Sequence, residues 1–188
     1  MSMALLELLD WLDLKGPSFR RTRAALARAR TRLALAGCEV GERVMVHGDL
    51  QLERRGTVKV GSLCVFVGGP FRTAIHVARG GTLDLGPRCY FNYGAQFDVR
   101  HSVKVGEKCM FGSYVRVLDA PGAPVVLGKD VWVAHGAVIN PGVTIGDGAV
   151  ISAGSVVSQD VPAGMLAIGN PARLMSQRLC NSGGSTHV

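Results

Sequence analysis

From Val133 the chain reads VAHGAV, INPGVT, IGDGAV, ISAGSV, VSQDVP. Each block of six opens on an aliphatic residue. The fifth place is always modest in size: Ala, Val, Ala, Ser, Val. The places between are rich in Gly, Asp, Asn, Pro and Ser, which form turns. An amphipathic helix would repeat every ~3.6 residues and a half-buried strand every ~2. A step of six with turn residues inside it implies a short strand, a corner, then another short strand. Such a period marks a parallel β-helix.

The same phase runs upstream, in LGKDVW at 127, VGEKCM and FGSYVR at 105, LGPRCY and FNYGAQ at 85, VGSLCV at 60 and VGERVM at 40. Three hexads make one triangular coil. Starts at 40, 60, 85, 105, 127 and 145 predict about six coils, a column ~29 Å tall at the ~4.8 Å strand spacing. Each coil satisfies the backbone of the next, so only the two ends need covering. Cys64, Cys89 and Cys109 fall at the fifth place of their hexads. They are expected to point inward beside Ala95, Ala137 and Ala149, as small buried hydrophobes. None of the five cysteines forms a CxxC pair, which argues against zinc and redox motifs.

Ahead of the column, residues 3–14 read as one helix. Residues 18–36 read as a second, with Ser18 as N-cap, Gly37 beyond its C-terminus, and Phe19, Leu26 and Leu33 as an apolar stripe. The net charge of +7 is concentrated here. Residues 15–32 carry Lys15, Arg20, Arg21, Arg23, Arg28, Arg30 and Arg32 and no acid, while the other 14 basic residues balance the 14 acidic ones. Such a helix either presents a solvated face or makes a peripheral anionic contact; nucleic acid is not the expected partner. The division is 1–37 helical, 38–175 β-helix and 176–188 a polar tail. No run approaches the ~20 apolar residues of a membrane span. The start, MSMALLELLDWLDLK, has acids and no basic n-region, so it does not read as a signal peptide and a cytoplasmic protein is expected.

The segment GKDVWVAHGAVINPGVTIGDGAVISAGSVVSQDVPAGMLAIGNPAR resembles the C-terminal coils of the hexapeptide-repeat acyltransferases, sugar O-acetyltransferases such as galactoside and maltose acetyltransferase in particular. The resemblance covers 83–175 strongly and 38–82 moderately. It implies a left-handed parallel β-helix, a homotrimer with sites between subunits, and acetyl-CoA or another acyl-CoA as donor, with no metal. The positions that match the family's coenzyme-binding residues are Ala134, His135, Ala153, Ser158, Gln159 and Arg173, with the backbone N–H groups near Ala134–His135 as oxyanion donors. On the acceptor side, Asn92 matches an asparagine that contacts the sugar. Arg100 stands where the sugar enzymes carry an aspartate, which tilts the small-molecule acceptor toward an anionic one.

One stretch breaks the rhythm: LDAPGAP at 118–124. In the family this loop carries the catalytic histidine, the general base that takes the proton of the attacking hydroxyl. Here Asp119–Pro124 contains none. Three explanations stand. Another histidine serves, His135 first and His101 second, with Asp119 orienting either one. Or the acceptor is an amine. Or the chain binds acyl-CoA or a partner and turns over weakly, or not at all. A zinc site of the prism-shaped carbonic anhydrase kind would need histidines spaced H-x4-H, and no such pair occurs.

Overall fold

A computed structural model describes residues 17–176. The first expected helix and the C-terminal tail lie outside those residues. After the remaining helix the chain winds into a three-sided β-solenoid. The first face stacks Glu39–Val40, Thr57–Val60, Thr82–Leu85, Ser102–Val105, Val125–Leu127 and Thr144–Ile145. The second stacks Met45–Val46, Val65–Phe66, Tyr90–Phe91, Met110–Phe111, Trp132–Val133 and Val150–Ile151, then Met165–Ile168 and Arg173–Ser176. The third runs from Leu50–Arg54 through Thr73–Val77, Gln96–Val99, Arg116–Leu118 and Val138–Ile139 to Val156–Val157. All pairings are parallel except the last on the second face. The faces carry six, eight and six strands and the solenoid makes about 5 turns, close to the six coils expected from the hexad starts.

The hexad explains this geometry place by place. Its first residue points inward at the end of each short strand. On the second face this places Phe66, Phe91 and Phe111 in one buried stack, with ring centroids 4.7 and 5.0 Å apart. Phe97 meets Phe91 and Phe111 edge-on from the third face. Such ring pairs contribute about 0.5–1.5 kcal/mol each beyond the area they bury. In the hexads that begin on the first face the second place is glycine, because successive coils nearly touch there: a Cβ on Gly86 would lie 2.6 Å from the backbone of Gly106. The fifth place turns inward at the corner. Cys64, Cys89, Cys109, Val131 and Ala149 are all buried, and Ala95 and Ala137 are buried at the next corner. Each of the three thiols donates to the corner carbonyl one coil on, Gly86, Gly106 and Gly128, at 3.1–3.2 Å. The neighbouring thiols of Cys109 and Cys64, then burial, push the Cys89 thiol far up.

Both ends are covered. The helix Pro17–Ala34 lies against the first coil. Its Thr31 hydroxyl accepts the Val46 N–H at 3.1 Å, Leu35 is buried, and Arg30 pairs with Asp49 at 3.4 Å. Two expectations for this helix need correction. Ser18 lies inside it rather than ahead of it, because Pro17 already sits at its start, where a missing N–H costs nothing. Leu33 is 80% exposed, so the face turned to the core is the one carrying Thr31 and Leu35. Gly37 does take the left-handed conformation expected past a helix end (φ 76°). At the far end the antiparallel pair Met165–Ile168 and Arg173–Ser176 folds over the last coil. No described helix is long and apolar enough to cross a membrane.

The outer faces differ in chemistry. Residues in register on the first face alternate in charge, Glu39, Lys59, Asp84, Lys104, with Glu39 and Lys59 at 3.0 Å. On the second face the outward ladder is Met45, Val65, Tyr90, Met110, Trp132, Val150. Met110 and Trp132 in it remain 48% and 50% exposed.

Candidate functional site

The corner between the second and third faces is built four times over by equivalent tetrads, starting at Asn92, Gly112, Ala134 and Ser152. Backbone bonds fix the equivalence: Tyr114 N–H donates to Tyr93 O, Gly136 N–H to Ser113 O, and Gly154 N–H to His135 O. Tyr93, Ser113, His135 and Ala153 therefore share one column. Gly94, Tyr114, Gly136 and Gly154 share the next, all in the left-handed region, with φ between 60° and 71°.

This corner gathers four residues that the sequence marked. Asn92 is half-buried, and its Oδ1 accepts the Tyr93 N–H at 2.9 Å. The Ala134 N–H donates to Ile151 O at 2.9 Å, so it is already committed. His135 is exposed, with its ring edge-on to Tyr114 at 5.4 Å between centroids. Ala153 is exposed one coil further on. Three more expected donor residues lie near the closing hairpin. Gln159 donates to Ala172 O at 3.1 Å, beside exposed Arg173, and the Ser158 hydroxyl accepts from Asn140 Nδ2 at 2.8 Å.

The other marked residues occupy a different corner, between the third and first faces. Here the interruption takes its shape. Ala120 and Ala123 bridge each other through Pro121 and Gly122, and Gly122 has φ 75°. Proline followed by a residue of positive φ is the type II turn. Above it, Gly142 N–H donates to Ala123 O at 3.0 Å. Below it Asp119 is only 5% exposed, and its carboxylate accepts the backbone N–H groups of Arg100, His101 and Ser102. Its oxygens serve the backbone of the coil below, and among the described residues no imidazole nitrogen bonds them. The His101 side chain is exposed. Arg100, also exposed, approaches Asp98 at 3.6 Å, whose other oxygen meets His76 Nδ1 at 3.2 Å.

Within one chain, then, Asn92, Ala134, His135 and Ala153 stand on one edge of the prism, and Arg100, His101 and Asp119 on another. The third face separates them by a strand such as Gln96–Val99, about 13 Å at ~3.3 Å per residue. Neither edge alone holds all the residues that the sequence marked.

Residues that the hexad reading passes over also sit here. Tyr93, Tyr114 and Phe71 form a ring cluster below His135, with Tyr114 at 5.4 Å from Phe71 and 5.6 Å from Tyr93. Partial withdrawal from water, then the neighbouring Tyr93, raise the Tyr114 phenol above its usual value, so it stays a neutral hydroxyl at physiological pH. One signal is present in the sequence: FGSYVR places a tyrosine where FNYGAQ, VAHGAV and ISAGSV place glycine. Among the described residues no three His, Cys, Asp or Glu side chains gather as a metal site would require.

Comparison with known proteins sharpens the picture. The family model described as bacterial transferase hexapeptide (six repeats) matches residues 124–159. The chain is 38% identical over 149 residues to nodulation protein L of Rhizobium leguminosarum bv. viciae, covering 72% of this chain and 75% of that protein. It is 30% identical over 118 residues to galactoside O-acetyltransferase of Escherichia coli, covering 55% of this chain and 58% of that enzyme. The chain thus spans between about half and three quarters of these relatives. Among solved structures, a hexapeptide-repeat-containing acetyltransferase of Vibrio cholerae complexed with acetyl coenzyme A superposes with a TM-score of 0.54. That match has 23% identity and covers 79% of this chain and 75% of the other, which bears on the fold alone.

Proposed function

This chain belongs to the hexapeptide-repeat acetyltransferase family, and from that premise we propose that it transfers an acetyl group from coenzyme A to a hydroxyl of a sugar or sugar-like acceptor. The acceptor oxygen attacks the thioester carbonyl carbon. A C–O bond forms, the C–S bond breaks, and the hydroxyl proton passes through a base to the departing thiolate. A base within ~3 Å accelerates such a step by about 10²–10⁴-fold. His135 is the first choice for that base and His101 the second. The developing oxyanion would take a backbone N–H. Because the Ala134 amide is committed to Ile151, His135's own amide is the better donor of the two. Ser158, Gln159 and Arg173 would hold the far end of the coenzyme, with Arg173 on a phosphate.

The single observation that carries the shared-site reading is the split between the two edges. Only a second copy can bring Arg100 and His101 next to Asn92 and His135. The apolar ladder on the second face supports a homotrimer, since exposed apolar strips of this length mark contact surfaces while the first face is charged. Arg100 favours an acceptor with an anionic group. An amine acceptor, which needs less help from a base, remains the second reading, and it is favoured by the absence of histidine from Asp119–Pro124.

Two measurements test this. Acetyl-CoA should raise the melting temperature, and thiol release should appear with some member of a panel of neutral glycosides, uronates and amino sugars. His135→Ala should slow transfer by at least a hundredfold and His101→Ala by less. Donor binding without thiol release for any acceptor would mean a non-catalytic acyl-CoA-binding scaffold.

A further inference from the structure

The ring cluster below His135 is more than filler for a corner. At this corner glycine holds three of the four left-handed positions, Gly94, Gly136 and Gly154, and Tyr114 is the exception at φ 60°. The corner between the first and second faces tolerates such a φ routinely, at Arg43, Leu63, Arg88, Lys108 and Asp130. A bulky aromatic there is still an outlier, because its Cβ crowds the following carbonyl. Strain of this kind points to a use for the side chain.

Glycines make room for the rings, which meet edge to face: Tyr93 and Tyr114 at 88° and Phe71 and Tyr114 at 62°. A Cβ on Gly94 would lie 2.8 Å from the Tyr114 ring, and one on Gly69 would lie 2.3 Å from the Tyr93 ring. Two missing side chains thus make the seats in which two tyrosines rest. Above Tyr114 the surface opens, since a Cβ on Gly136 would meet nothing within 4 Å. Phe71 closes the lower side and is 57% exposed. The result is a stepped aromatic surface, half open to solvent, with the His135 imidazole on its upper edge and Asn92 beside Tyr93.

We propose that the acceptor's ring stacks on the face of Tyr114, with Phe71 and Tyr93 as the edge-on walls that hold that ring in place, and that Tyr114 determines specificity for a pyranose. The electron-rich faces of aromatic rings attract the C–H face of a sugar, while its edge hydroxyls stay free. Stacked above Tyr114, a pyranose would present one of those hydroxyls toward His135. The inference rests on the acyl-transfer reading for what happens to that hydroxyl, but not for the binding itself.

The test uses the full chain and Tyr114→Gly, Tyr114→Phe and Phe71→Ala. Glycine is the residue the sister corners carry, so Tyr114→Gly should melt within a few degrees of wild type and keep its stabilisation by acetyl-CoA. Its KM for a methyl galactopyranoside or methyl galacturonate should rise about tenfold, the loss of one good stacking contact, with kcat changing less. Tyr114→Phe should restore KM, and Phe71→Ala should raise it partway. An independent arm needs no turnover. The protein has three tyrosines, so their ring signals in an aromatic NMR spectrum are readily assigned, and the same two glycosides should move those of Tyr93 and Tyr114. KM within twofold of wild type in Tyr114→Gly, or ring signals unmoved by either glycoside at tens of millimolar, would overturn the proposal. If wild type neither binds acetyl-CoA nor releases thiol, the acyl-transfer reading fails, and the titration still decides whether the platform binds sugar.

Discussion

Asp119 offers the sharpest separation between a part that builds the site and one that works in it. The perturbation is Asp119→Ala. In the structure the carboxylate accepts three backbone N–H groups, from Arg100, His101 and Ser102, from a buried position. Hydrogen bonds to an ionised group contribute about 1.5–3 kcal/mol each. Water entering the space that the carboxylate vacates would recover part of this and leave a net loss of about 3 kcal/mol. For a chain of this size each kcal/mol lowers the melting temperature by ~2–4 °C, so the variant should melt about 6–12 °C early. Asp119→Asn keeps one acceptor oxygen but turns an NH₂ toward the donors, and it should fall about midway. Calorimetry of the three proteins, with thiol release measured per folded molecule well below the melting point, reads both quantities. Transfer by the folded fraction should fall only modestly. If Asp119→Ala melts within about 2 °C of wild type while transfer collapses, the residue acts on the chemistry, for instance by orienting a histidine, and its assignment as a purely structural carboxylate fails.

Other outcomes follow from the same geometry. Phe91→Ala removes the middle of the ring stack and should cost about 3–5 kcal/mol, read by denaturant unfolding. A thiol reagent should leave Cys64, Cys89 and Cys109 unmodified in the native protein and modify all three after denaturation, as mass spectrometry of the digested protein would report; rapid native labelling of Cys89 would contradict its burial and raised pKa. In an ultraviolet titration Tyr114 should ionise above the usual tyrosine value, and Tyr114→Phe should remove that raised transition. If the proposed trimer forms through the apolar ladder, Trp132→Asp, at its fifth rung, should shift the protein toward single chains in sedimentation, whereas Lys104→Asp on the charged face should not.

Much of the architecture is legible in the sequence because the hexad is a strict steric code. Inward first places, small fifth places and, at the corner after the first face, glycine second places each answer one contact, as Phe91, Cys89 and Gly86 illustrate. The position of the interruption is legible too, and so is the turn within it, since Pro121–Gly122 names its type. The role of Asp119 is hidden, because its partners are backbone amides one coil below rather than side chains that a motif could display. Hydropathy misplaces Leu33: it looks like core, but the residues turned to the first coil are Thr31 and Leu35. The aromatic platform escapes a linear reading because its rings come from three coils, with Phe71, Tyr93 and Tyr114 about twenty residues apart. Only the stacking register joins them.

A crystal structure of the protein with coenzyme A and a glycoside would test the shared site directly. The expected result is the coenzyme's sulfur between two copies, with His135 of one within ~3 Å of an acceptor hydroxyl and Arg100 and His101 of the other facing it. A coenzyme bound wholly within one copy, or an assembly whose contacts leave the Asn92–His135 edge and the Arg100–His101 edge apart, would contradict it.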